Sequence, residues 1–302
     1  MPTKSGYITI IGKPNAGKST LMNALLGQKL SIITNKPQTT RKRVLGILNG
    51  DDYQMIFLDT PGILRAEYLL QERMLDYISE SINDADVILY LIDAENDPEA
   101  EKLLSDEIAS GSFRKNRKKI AVINKVDLSN EEKVKSLIKE LESKNIFNAV
   151  VPVAAAQNYN LDRLTNIILD YLPEGPIYFP DDQISDENER FFVSEIIREK
   201  IFEIYRDEIP YSAEVQIDEF KERDGRKDYI SASIIVERDS QKPILIGKKG
   251  DSIKKLGQLS RKAMEQFLER DVFLELRVKV RDKWRSDPRM LKYFGYRSKD
   301  EN

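Results

Sequence analysis

The chain has 302 residues, 40% of them apolar and 33% charged, with a formal net charge of −3 and neither cysteine nor histidine. That size accommodates about two domains, and the composition fits a folded chain rather than a disordered one. The missing residue types exclude zinc fingers, disulfide frameworks, thiol nucleophiles and histidine bases, so any catalysis must use carboxylates, lysine, hydroxyls, backbone amides or a metal held by oxygen.

The longest uninterrupted apolar run, Val87 to Ile92, is far too short to span a bilayer, and Met1 to Gly6 lacks the apolar core of a signal peptide. A cytoplasmic location is expected. Charge is uneven: residues 238–300 carry 18 Lys+Arg against 9 Asp+Glu. Such a local excess fits either contact with a polyanion or a solvated basic surface.

In chain order, Tyr7 to Gly12 reads as an apolar strand and Lys18 to Leu26 as a helix. Val44 to Leu48 and Tyr53 to Asp59 flank Asn49-Gly50-Asp51-Asp52, a hairpin signal. Val87 to Asp93, Lys119 to Asn124 and Ala149 to Val153 are further buried strands, and Glu67 to Ile82, Pro98 to Ala109, Glu131 to Ser143 and Leu161 to Tyr171 are helices between them. Alternating strands and helices imply a mostly parallel sheet covered on both faces, here with one antiparallel edge. Leu172-Pro173-Glu174-Gly175-Pro176 and Pro180-Asp181-Asp182 mark a linker. Beyond it, Asn188 to Tyr205 is an amphipathic helix, Tyr211 to Phe220 and Asp228 to Glu237 are strands, Asp251 to Glu269 a helix and Val272 to Val280 a strand. The basic, aromatic stretch Arg281 to Tyr296 follows.

Three motifs carry chemistry. Gly12-Lys13-Pro14-Asn15-Ala16-Gly17-Lys18-Ser19, followed by Thr20, matches the phosphate-binding loop and lies where it must, after a strand and opening a helix. Its amides converge on phosphate oxygens, Lys18 reaches the β- and γ-phosphates, and Ser19 offers a hydroxyl to Mg²⁺. Asp59-Thr60-Pro61-Gly62 closes the next apolar strand; Asp59 can reach the metal through water, and Gly62 can bring an amide to the γ-phosphate. Asn124-Lys125-Val126-Asp127 closes another strand. Guanine offers two donors on one edge and a single carboxylate, Asp127, can accept both, whereas adenine would leave it unpaired. GTP is therefore the expected nucleotide. A weaker fourth element is the pair Thr39-Thr40, where a hydroxyl would complete the metal shell only while a γ-phosphate is present. Thr40 is the first choice and Thr39 the alternative.

The order and spacing are those of translation-factor-like GTPases. The loop expected beside the base reads Ala154-Ala155-Ala156 and lacks the usual hydroxyl, leaving a backbone amide for guanine O6. The position after Gly62, where many small GTPases carry a glutamine that orients water, is Ile63, so slow intrinsic turnover is expected. Catalytic roles fall to Lys18, Thr40, Gly62 and Asn15. In related GTPases an asparagine at the place of Asn15 helps hold K⁺ near the phosphates; a hydrogen bond that shapes the loop is the equal alternative.

In the C-terminal part, Gly247-Lys248-Lys249-Gly250 falls between two helices, with Ile244 and Ile246 beside it. A Gly-x-x-Gly turn lets amides approach a nucleic-acid backbone while apolar neighbours floor a groove for unstacked bases. The order helix, strand, strand, helix, helix, strand resembles a type II KH domain. Taken end to end, the phosphate loop through Thr20, Gln38-Thr39-Thr40-Arg41, Asp59-Thr60-Pro61-Gly62, the Phe191 to Arg198 helix, Ile246 to Gly250, and Trp284 with Gly295-Tyr296 resemble the bacterial Era family. The segment from Ile63 through Leu70 departs from that pattern. The resemblance implies a mostly parallel P-loop GTPase domain over residues 1–172, a linker over 173–187 and a smaller α+β KH domain with a basic tail over 188–302. It further implies a monomer that binds GTP, GDP and Mg²⁺, binds the 3′ end of small-subunit ribosomal RNA, assists small-subunit assembly, and in some members associates peripherally with the inner membrane. Trp284 and Arg285 are candidate RNA contacts by stacking and charge; the alternative for Trp284 is a core anchor at a domain edge.

Overall fold

A computed structural model describes residues 3–34, 36–95, 117–223 and 225–297. The helix expected over residues 98–109 lies outside these. The described chain divides into two compact units. The first comprises residues 1–31, 40–65 and 74–186, and the second residues 32–39, 66–73 and 187–302.

The first unit is built on a six-stranded sheet. In chain order its elements are β1 (Lys4–Gly12), α1 (Lys18–Leu26), β2 (Val44–Gly50), β3 (Tyr53–Asp59), α2 (Leu69–Asp84), whose first turns belong to the second unit, β4 (Val87–Asp93), β5 (Lys118–Asn124), α3 (Glu131–Ser143), β6 (Ala149–Pro152) and α4 (Leu161–Tyr171). The strand order is β2-β3-β1-β4-β5-β6. Among its described strands only the β2–β3 hairpin is antiparallel. The central strands are apolar on both faces, as a sheet covered twice requires: all seven residues of β4 are buried, and so are Ile8, Ile10 and Ile11 of β1. Asn130 caps α3 by accepting from the Lys133 amide, with Glu131 and Glu132 in the first turn. Residues 173–186 stay on this unit. The Gln54 amide bridges the Tyr178 and Phe179 backbone, and the Ile47 amide donates to the Ile184 carbonyl.

The second unit contains α5 (Glu189–Ile204), α6 (Ile209–Ser212), β7 (Glu214–Lys221), β8 (Asp228–Val236), α7 (Gln241–Ile246), α8 (Asp251–Leu268), β9 (Val272–Val280) and α9 (Pro288–Tyr293). Its sheet runs β7-β8-β9, antiparallel then parallel. Its core joins Val193, Ile197 and Ile201 of α5 to Ile230, Ala232 and Ile234 of β8 and Leu256 and Met264 of α8. One expected strand is partly corrected: Tyr211 and Ser212 lie in the short helix α6, which Pro210 opens, and the strand starts at Glu214. Proline's fixed φ suits a first helical turn and removes an amide that a strand ladder would need.

Candidate functional site

Gly12 ends β1 and Lys18 begins α1, so residues 13–17 form the loop between them. No side chain caps α1, which leaves its first amides for a ligand. Gly17 is the N-cap at φ 97°, and a Cβ there would fall 2.4 Å from Asn124 Nδ2; only glycine fits. The Lys18 ammonium donates to the carbonyls of Gly12 (3.1 Å) and Lys13 (2.9 Å). Burial pushes its pKa down to about 8, against the attraction of Asp59. A phosphate seated on the loop would add negative charge beside this buried cation.

At the start of α1, Ser19 Oγ lies 2.7 Å from Asp59 Oδ2 and 2.9 Å from Thr40 Oγ1, and Thr40 Oγ1 lies 3.4 Å from the same carboxylate oxygen. Three oxygens from three separate segments thus meet. Asp59 is wholly buried, and burial raises its pKa against hydrogen bonds from Ser19 and Thr40 and the charge of Lys18. Among the described residues its Oδ1 is buried with no hydrogen-bond partner. Oxygen donors from two hydroxyls and one carboxylate with an unspent lone pair fit a small hard cation such as Mg²⁺. Thr40 therefore stands in this cluster and Thr39 does not: the Thr39 carbonyl instead accepts from Arg198 in the second unit.

The segment after Asp59 is laid on the phosphate loop. Thr60 Oγ1 donates to the Ile10 carbonyl at 2.7 Å, the Ile63 amide donates to Gly12 O at 3.1 Å, and Gly62 lies against Pro14. Pro61 is buried beside them, and Thr20 continues the first turn of α1. Asn15 is exposed at φ 63° and Ala16 is buried.

The Asn124 side chain works inside the protein: Nδ2 donates to Ala16 O at 2.9 Å and Oδ1 accepts from the Ala155 amide at 3.0 Å. The Ala154 amide pairs with Tyr159 O, and Ala156 is exposed. Lys125 Nζ bridges Asn15 O and Asp93 Oδ2, both at 2.7 Å. Asp127 is exposed, and its Oδ2 accepts from Gln157 at 3.1 Å. Asp93 and Gln157 are additions that the motifs did not point to. The available signal for Asp93 was its place at the carboxyl end of a parallel strand, opposite Asn124 in register.

In the second unit, Gly247 to Gly250 join α7 to α8, with Lys249 at φ 54° and Gly247 at φ 75°. A Cβ on Gly247 would come within 2.8 Å of the Ser252 amide nitrogen, so the loop turns too tightly for a side chain. Lys248, Lys249 and Ile244 are exposed, and Ile246 is half-buried. The RNA role drawn for Trp284 is corrected: it is fully buried, its indole N–H donates to Ser212 O at 2.8 Å, and Phe294 packs edge-on against it. No face remains for a base. Arg285 is ion-paired to Glu237 and lies 4.5 Å from the Tyr68 ring centre, within this unit. A groove the motifs missed, about 570 Å³, runs between α8 and β9. Ile253, Lys254, Gly257 and Arg261 line it from one stripe of α8, and Leu274 and Leu276 from the strand. Cations above an apolar floor suit a single-stranded polyanion with splayed bases.

Phosphate loop, oxygen cluster, base-side motif and Gly-x-x-Gly turn define a P-loop GTPase carrying a KH domain. Residues 7–125 match the family described as 50S ribosome-binding GTPase, and residues 208–285 match the KH domain family. GTPase Era of Geobacter sp. (strain M21) is 46% identical over 293 residues, covering 97% of this chain and 98% of its own. The same-named protein of Clostridium botulinum (strain Alaska E43 / Type E3) is 43% identical over 98% of this chain and 99% of its own. The chain belongs to the Era family of GTPases and is a GTP-hydrolysing enzyme. Among solved structures, a single-residue variant of Aquifex aeolicus Era bound to GDP·AlF4⁻ superposes with a TM-score of 0.92 at 43% identity, covering 98% of this chain and all of its own. An Era complex with Mg–GDPNP and nucleotides 1506–1542 of 16S ribosomal RNA superposes equally well at 42% identity and the same coverage.

Proposed function

We propose that this GTPase is a switch whose nucleotide state governs binding of the 3′ end of small-subunit ribosomal RNA, and that it thereby assists assembly of the small subunit. The observation that carries the nucleotide half is the meeting of Ser19, Thr40 and Asp59 with Asp59 Oδ1 left unpaired. These three would hold Mg²⁺, which supplies charge neutralisation to the β- and γ-phosphates when bound. Lys18 adds a buried cation, the α1 amides and the loop bind phosphate oxygens, and Gly62 presents its amide toward the γ-phosphate. Asp127 takes the guanine edge once Gln157 yields, and Ala156 is the exposed member of its loop for a contact to the base. Ile63 can neither orient nor deprotonate water, so unaided turnover is slow. K⁺ held with the help of Asn15 would offset that in part, and equal turnover in K⁺ and Na⁺ would remove this element.

For the RNA half, the Era relative solved with ribosomal RNA supports the substrate class. On this chain, Lys248, Lys249 and Gly250 offer the strand backbone a basic turn, and the α8–β9 groove offers the bases an apolar floor. Switching finds support in the division of the chain, since residues 32–39 and 66–73 fold with the RNA-binding unit. There Lys36 Nζ donates to the carbonyls of Phe202 and Tyr205 at the end of α5, and the Ile33 amide donates to Glu199. Peripheral attachment to the inner membrane belongs to the same proposal, and sedimentation with anionic vesicles tests it; among the described residues no helix is long and apolar enough to cross a membrane. The deciding experiment measures GTP and ATP turnover with and without an oligonucleotide matching the small-subunit RNA 3′ end. Stimulated GTP turnover with ATP ignored is expected. Turnover indifferent to that RNA, and an isotherm no tighter than for unrelated RNA, would overturn it.

A further inference from the structure

We infer that Phe273, at the edge of the RNA-binding unit, is a stacking platform for one nucleobase of single-stranded RNA, flanking those held in the α8–β9 groove. The inference rests on the RNA reading above and extends it to a site outside the Gly-x-x-Gly turn. Side chains on a strand alternate. Leu274 and Leu276 turn toward α8 and join the core, whereas Phe273 leaves β9 on the opposite face. β9 is the edge strand of its sheet, so Phe273 still borders the mouth of the groove.

Phe273 is 55% exposed, an unusual state for a phenylalanine beside a formed core. The ring is nonetheless held. Tyr229 faces it in register on β8, with centroids 5.9 Å apart and planes 15° from parallel. The Tyr229 hydroxyl donates to Glu275 at 2.6 Å, and the Arg223 guanidinium lies 5.0 Å from the Tyr229 ring centre. Arginine, tyrosine and phenylalanine thus form a layered stack whose outer member is largely open. A ring already ordered loses little entropy when a base lands on it.

Charge selects the occupant. Lys227, Lys254 and Arg261 line the same groove, and the nearby carboxylate Glu275 is engaged by Tyr229 and by Arg277. From Ile253 to Arg261 the helix rises by eight residue steps, about 12 Å, so the Phe273 end lies well away from the turn at the start of α8. An RNA strand whose phosphates follow Lys254 and Arg261 brings its next base to the β9 edge, where the exposed ring receives it.

The test uses the full chain with Mg–GDPNP and oligonucleotides matching the small-subunit RNA 3′ end, carrying 2-aminopurine at successive positions. One position outside the groove-bound bases should be quenched on binding. In Phe273→Leu that quench should vanish and affinity fall roughly five- to a hundred-fold, while Phe273→Tyr keeps both. No quenched position with the unaltered protein, or Phe273→Leu binding and quenching as before, overturns the platform. Lys254→Ala with Arg261→Ala separates the two levels. Weaker binding in that variant beside an indifferent Phe273→Leu sinks the platform alone, whereas affinity untouched in both sinks the RNA reading of the groove.

Discussion

Replacing Asn124 by alanine separates a role toward the base from a role in the fold. The side chain is 2% exposed, donates to Ala16 O at 2.9 Å and accepts from the Ala155 amide at 3.0 Å. It therefore bolts the phosphate loop to the loop after β6. Alanine leaves one carbonyl and one amide without their partner. Each buried unsatisfied group costs about 1–3 kcal/mol, so the loss is about 2–6 kcal/mol. At about 2–4 °C per kcal/mol for a unit of this size, the melting temperature of the first unit should fall roughly 5–20 °C. The assay is thermal unfolding of the full chain without nucleotide, with hydrogen exchange across residues 16–21 to identify the unit that opens. Were Asn124 only a contact to guanine, the nucleotide-free protein would melt unchanged and only the gain from GDP would shrink. A nucleotide-free melt within a degree of the parent refutes the bolt. Asn124→Asp should be at least as unstable near neutral pH, because it keeps the acceptor for Ala155 but sets a carboxylate against the Ala16 carbonyl.

Asp127→Asn should lose its preference for GTP and gain xanthosine triphosphate, read by competition binding; a retained guanine preference contradicts the base assignment. Thr40→Ala should lower GTP turnover by more than about ten-fold and raise the Mg²⁺ concentration needed. Thr39→Ala should change turnover little, since the structure engages that residue through its backbone; equal losses would contradict the division between them. Gly257→Ala should stabilise α8 by about 1 kcal/mol through helix propensity, the new Cβ making an ordinary 3.7 Å contact with Leu276. The same methyl enters the groove, so a melt no lower than the parent should accompany weaker RNA binding. Lys248→Ala with Lys249→Ala should weaken RNA binding and flatten its dependence on salt, checked by isotherms at several KCl concentrations.

The sheet and its helices were legible because their signals are local. β3, β4, β9, α1, α3 and α4 end on the residues at which the sequence pattern placed their ends. The phosphate loop and Asp59 were equally plain, since their chemistry is written in consecutive residues. Where reading failed, the deciding partner lay far along the chain. Trp284 sits in a basic, aromatic tail that matches an RNA-binding composition, and only the carbonyl of Ser212 reveals that its N–H is spent indoors. Asp93 closes a strand that is apolar throughout, and nothing nearby announces the ammonium of Lys125 that it meets. The strand expected from Tyr211 begins only at Glu214, because Pro210 opens a helical turn over Ile209–Ser212.

Thr39 and Thr40 show why adjacent, chemically identical residues take different work. Thr40 turns its hydroxyl to Ser19 and Asp59, while the Thr39 carbonyl accepts from Arg198. Arg198 is 1% exposed and Glu195 is its carboxylate partner, with Nη1 unpaired among the described residues. Burial works against its charge, and the nearby carboxylate holds its pKa above the ordinary arginine value nonetheless. Such a pair is a poor source of stability, because stripping water from two ions consumes most of what their attraction returns. Packing alone would be served better by leucine or methionine. Arginine does what neither can: it offers donors to a backbone carbonyl and so holds that carbonyl in one place. The carbonyl it holds belongs to the residue covalently joined to Thr40. With Ser19, Thr40 and Asp59 as the proposed metal ligands, ordering residues 32–39 with the second unit would bring Thr40 to them with little further loss of entropy, and releasing those residues would leave that ordering to the Thr40 hydroxyl alone.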